Sequence, residues 1–335
     1  MKKIVIVAGG DSSEYQISLK SAEGLYAFID KNKYQPFIAV LHGQEWNACP
    51  EGMDSDVRVP IDRNDFSFTF NGVKTVFDFA WITIHGTPGE NGLLQGYFDL
   101  IGLPYCCCNT LAAALTFDKF TCNRYLSGFG ILTAKSVLIR AAEWTTDASQ
   151  RKAVTDNILN TCGLPCFVKS NVGGSSFGTT KVKRAEELEQ AVSEAMKEGS
   201  SVIAESFLDG TEVTCGCYKT RNKSVCFPLI EIVSETEFFD YKAKYTGASR
   251  EILPARIPDD VRDTIQAITS RIYDLVNGIK GLIRADYIIC KDGIYLLEVN
   301  TTPGMTTASL IPQMTKANGQ TMAEVMDDII SDILD

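Results

Sequence analysis

At 335 residues the chain is longer than one ordinary hydrophobic core accommodates, so two or three domains are expected. Its 45% hydrophobic and 22% charged residues are those of a folded protein and exclude disorder, collagen-like repeats and a chain-long coiled coil. A net charge of -10 repels nucleic acid and anionic membranes, so any anion must be held in a local cationic pocket.

In chain order, Ile4 to Ala8 reads as a short apolar strand, Gly9-Gly10-Asp11-Ser12-Ser13 as a loop, and Glu14 to Asp30 as a helix. The opening apolar run is too short for a signal peptide, and a cytoplasmic protein is expected. Tyr34 to Leu41 is a second strand. Phe66 to Phe70, Asn71-Gly72 and Val73 to Phe77 read as a hairpin with a type I′ turn, and Asp78 to Ile84 as a buried strand ending at His85-Gly86. A helix near Gly89 to Ile101 completes a first α/β unit of ordinary domain size. Leu100 to Phe117 carries no formal charge, but Gly102, Pro104, Asn109 and Thr110 break it into strand, loop and helix start, so no membrane span is expected.

The next stretch reads as a helix from Leu111 to Leu126, a strand from Lys135 to Ile139, a helix from Thr146 to Thr161 and a strand from Cys166 to Lys169. A Gly/Ser segment, Asn171 to Gly178, then lies between two strands of one sheet. A charged helix over Ala185 to Lys197 and a strand over Ser201 to Ser206 follow. The last block alternates strands with a polar excursion, Ser234 to Arg250, a long helix, Asp259 to Asn277, and the hairpin Leu282 to Asn300. The 11 cysteines show no metal spacing, and with only His42 and His85 to add imidazole they are expected to be reduced, buried, small apolar side chains.

Three constellations carry chemistry. In the final hairpin, a three-residue loop Lys291-Asp292-Gly293 with Gly293 left-handed pairs Cys290 with Ile294, Asp286 with Glu298 and Arg284 with Asn300. Two carboxylates then face each other, an arrangement that is destabilising unless a cation lies between them. Either a hard divalent ion, Mg²⁺ or Mn²⁺, binds the oxygens together with nucleotide phosphates, or Arg284 neutralises a structural pair. Second, Lys169 at a strand end feeds the small-residue loop Gly173 to Gly178, whose N–H groups can approach an anion closely. This matches neither the P-loop nor the dinucleotide pattern; it is a phosphate grip or simply a loop, and separate cations at Lys119 and Lys244 favour the grip. Third, Phe238 to Tyr245 mixes aromatics and lysines without periodicity, as a mobile lid or a packed surface loop would. Glu14 either complements a helix dipole or binds a substrate ammonium at the mouth of the first sheet.

Seven segments taken together resemble the ATP-grasp superfamily and, within it, the D-alanine:D-alanine ligase family. They are GGDSSE (Gly9 to Glu14), HGTPGENGLLQG (His85 to Gly96), LPY and FDK (Leu103 to Tyr105, Phe117 to Lys119), FVKSNVGGSSFG (Phe167 to Gly178), FFDYKAKY (Phe238 to Tyr245), RADY (Arg284 to Tyr287) and LLEVNTTPGMT (Leu297 to Thr306). They stand in family order along the whole chain.

The resemblance implies a mixed α+β and α/β, three-domain ATP-grasp architecture. Residues 1–107 would form a Rossmann-like N-terminal domain, 108–204 a central domain with the phosphate loop, and 205–335 a C-terminal domain with a lid at 234–250 and the Mg²⁺ site. ATP would be gripped by Lys119, Lys169, Ser175, Ser176 and Lys244, its adenine by Glu205, Phe207 and Leu208, and its ribose by Glu212. Asp286, Glu298 and Asn300 would hold Mg²⁺ or Mn²⁺. Glu14 would bind the first D-alanine's ammonium, and His85 would belong to the substrate site. Ser309, Leu310 and Lys244 would fix the second carboxylate, Arg284 and the Gly304 amide would form an oxyanion hole, and Tyr245 would link Ser175 to Glu14.

The implied chemistry is formation of D-alanyl-D-alanine through an acyl phosphate, for peptidoglycan precursors, by a homodimer. The alternatives are a D-lactate or D-serine ligase, a silent ATP-binding module and a nicotinamide-binding domain; Tyr245 after Lys244, with Ser309-Leu310, favours the dipeptide class. Cys106-Cys107-Cys108 and Phe177 depart from the usual pattern without removing a reacting group.

Overall fold

A computed structural model describes residues 1–173, 178–234 and 249–335, apart from the side chains of Ser234 and Ser249. Three main sheets organise it. The first contains β1 (Lys2–Gly9), β2 (Tyr34–His42), β3 (Glu45–Ala48), β4 (Val59–Pro60), β7 (Phe79–Ile82) and β8 (Tyr105–Cys106), in the order β4-β3-β2-β1-β7-β8. The strands β5 (Phe68–Phe70) and β6 (Val73–Thr75) form a separate hairpin, with φ of 49° at Asn71 and 75° at Gly72, the left-handed pair a type I′ turn requires. β2, β1, β7 and β8 run parallel, and helix α1 (Tyr15–Phe28) crosses from β1 to β2. The chain leaves β1 towards β2 on one side, whereas β7 lies on the other, so the order reverses at the carboxyl ends of β1 and β7. Such a reversal opens a crevice that binds ligands in α/β sheets, and Glu14 and His85 lie there.

The second sheet is antiparallel, in the order β11-β10-β12-β9, from β9 (Ser136–Arg140), β10 (Cys166–Ser170), β11 (Thr180–Val182) and β12 (Ser201–Ser206). Its own core, Ile139, Ile158, Val168, Leu188, Val192 and Val202 among others, forms under α5 (Ala148–Cys162) and α6 (Leu188–Ala195). The third sheet, also antiparallel, takes β13 (Thr211–Lys219), β14 (Ser224–Cys226), β15 (Ile230–Ser234), β16 (Ser249–Ile252), β17 (Ile283–Cys290) and β18 (Gly293–Asn300) in the order β16-β15-β13-β17-β18, with β14 also on β13. Unlike the second sheet, the first and third share cores: Val5, Ile82 and Phe98 belong to one cluster with Val213, Ile283 and Tyr287. Ile4, Leu25 and Trp81 belong to another with Tyr218, Ile311 and Met326.

Helices α2 (Leu93–Ile101), α3 (Thr110–Phe117), α4 (Lys119–Ser127), α7 (Asp259–Leu275), α8 (Leu310–Ala317) and α9 (Met322–Leu334) complete the fold. The single helix expected over Leu111 to Leu126 is two. Asp118 takes extended backbone and its carboxylate accepts the Thr121 N–H at 2.8 Å, capping α4; an aspartate competes well for such a position and poorly for a helix interior.

The final hairpin also departs from expectation. Its turn has two residues, Lys291-Asp292, so Cys290 faces Gly293 and not Ile294, and Gly293 is not left-handed. A bulge at Leu297 then restores the offset, leaving Asp286 opposite Glu298 and Arg284 opposite Asn300 as expected. The expected lid at 234–250 begins and ends in strands, Ser234 pairing with Ser249; residues 235–248 lie outside the described residues. All eleven cysteines are free thiols, and all but Cys162, Cys226 and Cys290 are buried.

Candidate active site

A cavity of about 770 Å³ runs between the second and third sheets, with residues 11–14 of the first at one end. Of the residues expected at the site, Glu14, Lys119, Lys169, Glu205, Phe207, Leu208, Glu212, Arg284, Asp286, Glu298 and Leu310 line it. Ser175, Ser176, Lys244 and Tyr245 lie outside the described residues.

The final hairpin supplies the acidic wall. Strand alternation turns Arg284, Asp286 and Ile288 of β17 to the cavity, while Ala285 and Tyr287 fill the core behind them. The bulge places Leu297 and Glu298 on the cavity side consecutively. The Asp286 carboxylate accepts hydrogen bonds from Arg284 Nε (3.0 Å) and Nη2 (2.9 Å), Thr214 Oγ1 (2.5 Å) and Asn300 Nδ2 (3.2 Å). Glu298 Oε2 is 3.8 Å from Lys119 Nζ. The donor set of two carboxylates and an amide, without sulfur or imidazole, fits a hard divalent cation. Among the described residues no three His, Cys, Asp or Glu side chains gather into a metal cage. An ion here therefore needs oxygens from a ligand to fill its shell.

Two lysines line the cavity beside these acids. Lys169 projects from β10 and pairs with Glu205 of the adjacent β12 at 2.6 Å. Burial opposes its charge, but Glu205, Glu298 and Glu212 outweigh that cost and its pKa is raised. Lys119 opens α4, where the Asn171 carbonyl accepts its backbone N–H at 3.1 Å and Gly173 O accepts its ammonium at 2.5 Å. Its pKa is lowered, by burial first, with Lys169 adding to the effect and Glu298 opposing it.

At the far end Glu14 and His85 are both buried. Ser12 donates to the His85 carbonyl at 2.7 Å and receives the Glu14 N–H at 3.2 Å, so one serine ties both segments together. The His85 pKa is lowered by burial, which prevails over the opposing Glu14 charge. Glu90 accepts the Gly86 N–H at 2.7 Å, and burial, reinforced by Glu14, raises its pKa to about 8.

Four expected residues do not line the cavity itself. Asn300 stands beside Asp286, His85 lies behind Ser12, and Gly304 packs against Ser309, whose Oγ a methyl group at 304 would approach to 3.0 Å. Sequence reasoning missed Thr214, Asn123 and Glu90. Thr214 hydrogen-bonds Asp286, and Asn123 Nδ2 donates to Glu205 Oε1 at 3.2 Å. No local pattern marks the first two, because both act through strand or helix neighbours distant in sequence; Glu90 stands inside the HGTPGENG segment, but the burial that sets it apart comes only with the fold.

Comparison with known proteins agrees with this geometry. The D-ala D-ala ligase N-terminus model matches residues 3–108 and the D-ala D-ala ligase C-terminus model residues 125–331. The D-alanine--D-alanine ligase of Parabacteroides distasonis is 55% identical, over 99% of this chain and 98% of the relative, and that of Phocaeicola vulgatus 54%, over 98% of each. Among solved structures, the VanG D-Ala:D-Ser ligase of Enterococcus faecalis superposes with a TM-score of 0.85 at 31% identity, covering 98% of both chains. The chain belongs to the D-alanine--D-alanine ligase family.

Proposed function

We propose that this chain is an ATP-dependent ligase that joins two D-alanine molecules into D-alanyl-D-alanine for peptidoglycan precursors. One observation carries the reading: a facing pair of carboxylates, Asp286 and Glu298, lines one cavity with two largely shielded lysines, Lys119 and Lys169, and with Glu14. Such a site suits a polyphosphate at its middle and an ammonium at its end.

A carboxylate is a poor electrophile, because its leaving group would be oxide. In the proposed reaction an oxygen of the first D-alanine's carboxylate bonds to the γ-phosphorus of ATP as the bond to ADP breaks. The amine of the second D-alanine then attacks the acyl carbon, losing a proton, and phosphate leaves. Lys119 and Lys169 would offset phosphoryl charge, together with Ser175, Ser176 and Lys244, and Glu14 would orient the first ammonium beside His85. Glu205, Phe207, Leu208 and Glu212 would take the adenosine. Asp286, Glu298 and Asn300 would hold Mg²⁺ or Mn²⁺, which when bound neutralises the transferring phosphoryl group. Arg284 and the Gly304 N–H would stabilise the tetrahedral oxyanion, each worth about 3 kcal/mol. Ser309, Leu310 and Lys244 would fix the second carboxylate, and Tyr245 would join Ser175 and Glu14.

Domains at 1–107, 108–204 and 205–335 are part of this proposal, supported by one main sheet in each, although β12 runs on to Ser206. A homodimer is proposed too: Leu93, Leu100 and Leu111 expose 63%, 89% and 70% of their surface along α2 and α3, and light scattering at working concentration should give twice the chain mass. No helix among the described residues is long and apolar enough to cross a membrane. The many free thiols favour a reducing cytoplasm.

The test is a product assay with ATP, Mg²⁺ and D-alanine, with L-alanine, D-serine and D-lactate as comparison acceptors. Phosphate release should depend on D-alanine and metal together and yield the dipeptide. ATP binding without phosphate release would make the chain a silent module, and more D-lactate than D-alanine incorporated at neutral pH would move it to the ester-forming class.

A further inference from the structure

Helix α1 buries Ser18, Ser21, Ala22, Gly24 and Leu25. Two of these small residues touch the loop between β18 and α8. Ser21 Oγ accepts the Met305 N–H at 3.2 Å. One turn on, a methyl group at Gly24 would overlap the Met305 carbonyl oxygen and come within 3.2 Å of Thr306 Cα. Ser21 and Met305 are both buried, and a buried N–H must be paired inside the protein.

The loop is fastened from its other side as well. Ser309 Oγ accepts the Thr306 N–H at 3.0 Å and lies 2.8 Å from Thr306 Oγ1, while the Ser309 N–H donates to Thr306 O at 2.9 Å. The helix is itself pinned to the first sheet: Ser18 Oγ accepts the Gly9 N–H at 2.9 Å and donates to Thr83 O at 2.7 Å. Glu14 stands at the N-terminus of this helix, and Ser21 follows about two turns, roughly 10 Å, along it.

We propose that Ser21 and Gly24 are positioning residues, and that α1 is the strut that sets the Gly304 amide at a fixed distance from Glu14. This rests on the proposed roles of Gly304 as oxyanion donor and Glu14 as ammonium acceptor. The 304–305 peptide is seated on the helix by the Ser21 hydroxyl and the next peptide, 305–306, by the missing side chain of Gly24, so the nearby Gly304 N–H cannot drift while the reacting carboxyl is held from Glu14. An oxyanion donor acts only from a defined position, and a displacement near 1 Å removes much of its effect.

The experiment is steady-state dipeptide synthesis by the full chain. Ser21→Ala should lower kcat about tenfold while leaving the KM for ATP within about twofold, since the helix does not touch the nucleotide walls. Gly24→Ala, which keeps the hydroxyl but pushes the adjacent 305–306 peptide, should act in the same direction and more strongly. Ser21→Thr should recover most of the rate. Thr321→Ala, which strips the cap of α9 where Thr321 Oγ1 accepts the Glu324 N–H, should lower the melting temperature without moving kcat. An unchanged kcat in folded Ser21→Ala, or a parallel loss of kcat and ATP affinity, overturns the proposal while the ligase reading stands. If wild type makes no dipeptide, the ligase reading fails first. Should Ser21→Ala not fold, hydrogen exchange on wild type decides: a protected Met305 amide supports the strut, and exchange at the open-loop rate refutes it.

Discussion

Lys119 and Lys169 line one cavity, carry the same ammonium and are both shielded from solvent, yet their proton affinities move in opposite directions. Burial penalises both. Lys169 has a carboxylate in direct contact at 2.6 Å and holds its proton more tightly, whereas Lys119 has Glu298 at 3.8 Å and a neutral carbonyl nearer still. Desolvation sets the cost and contact decides the sign. The charge of Lys169 is matched by a carboxylate in contact; that of Lys119 is met only by Glu298 at 3.8 Å and the Gly173 carbonyl.

The strongest way to break this comparison is Glu298→Gln. It removes the Lys119 partner and one of the proposed metal ligands together, and turnover measured as phosphate release at saturating Mg²⁺ should fall by about 10²-fold or more. Stability should hold, because the substitution also ends the opposition to Asp286; undiminished turnover would remove the metal role.

Next in size is the contrast between the lysines. Lys169→Met leaves Glu205 buried beside no ammonium and should cost about 3–5 kcal/mol in denaturant unfolding, most of it recovered in Lys169→Met/Glu205→Gln. Lys119→Met should cost about 1 kcal/mol or less, because it removes a penalised charge. Equal losses would erase the distinction between the two lysines.

A pH series sharpens it further. Glu90 has its pKa raised from an ordinary 4.5 to about 8, so the folded state keeps a proton that the unfolded chain has lost. Its contribution is fully present below pH 4.5 and is lost as pH rises towards about 8. Glu90→Gln should flatten the fall in stability over that interval, and an unaltered slope would assign the titration elsewhere. The smallest effect belongs to Asp118→Ala, which uncaps the helix that presents Lys119 and should cost about 1 kcal/mol in thermal or denaturant melts.

Much of this was legible in the residues. Apolar runs broken by glycine gave the strands of the first sheet, and Asn71-Gly72 gave the turn type of the separate hairpin β5–β6, because those signals are local. The facing of Asp286 and Glu298 was also anticipated, though by two errors that cancel: a loop assigned one residue too many and a bulge not foreseen at Leu297. A bulge depends on how the third sheet twists against its neighbours, and no short window records that. The break at Asp118 could have been read, since an aspartate amid alanines and threonines is a poor helix interior. The pairings of Thr214 with Asp286 and Asn123 with Glu205 could not, because each joins residues that only the tertiary fold brings together.

The bulge at Leu297 has one more consequence. A ribbon that alternates strictly would send neighbours to opposite sides, but here an oily side chain and an acid come up shoulder to shoulder, so a flat ring and a charged tail of one ligand can be met by adjacent links of the chain. The same feature singles out one surplus link: deleting this leucine would leave Glu298 opposite Asp286 and Asn300 opposite Arg284 in regular alternation, and would take away only the oily neighbour of the acid.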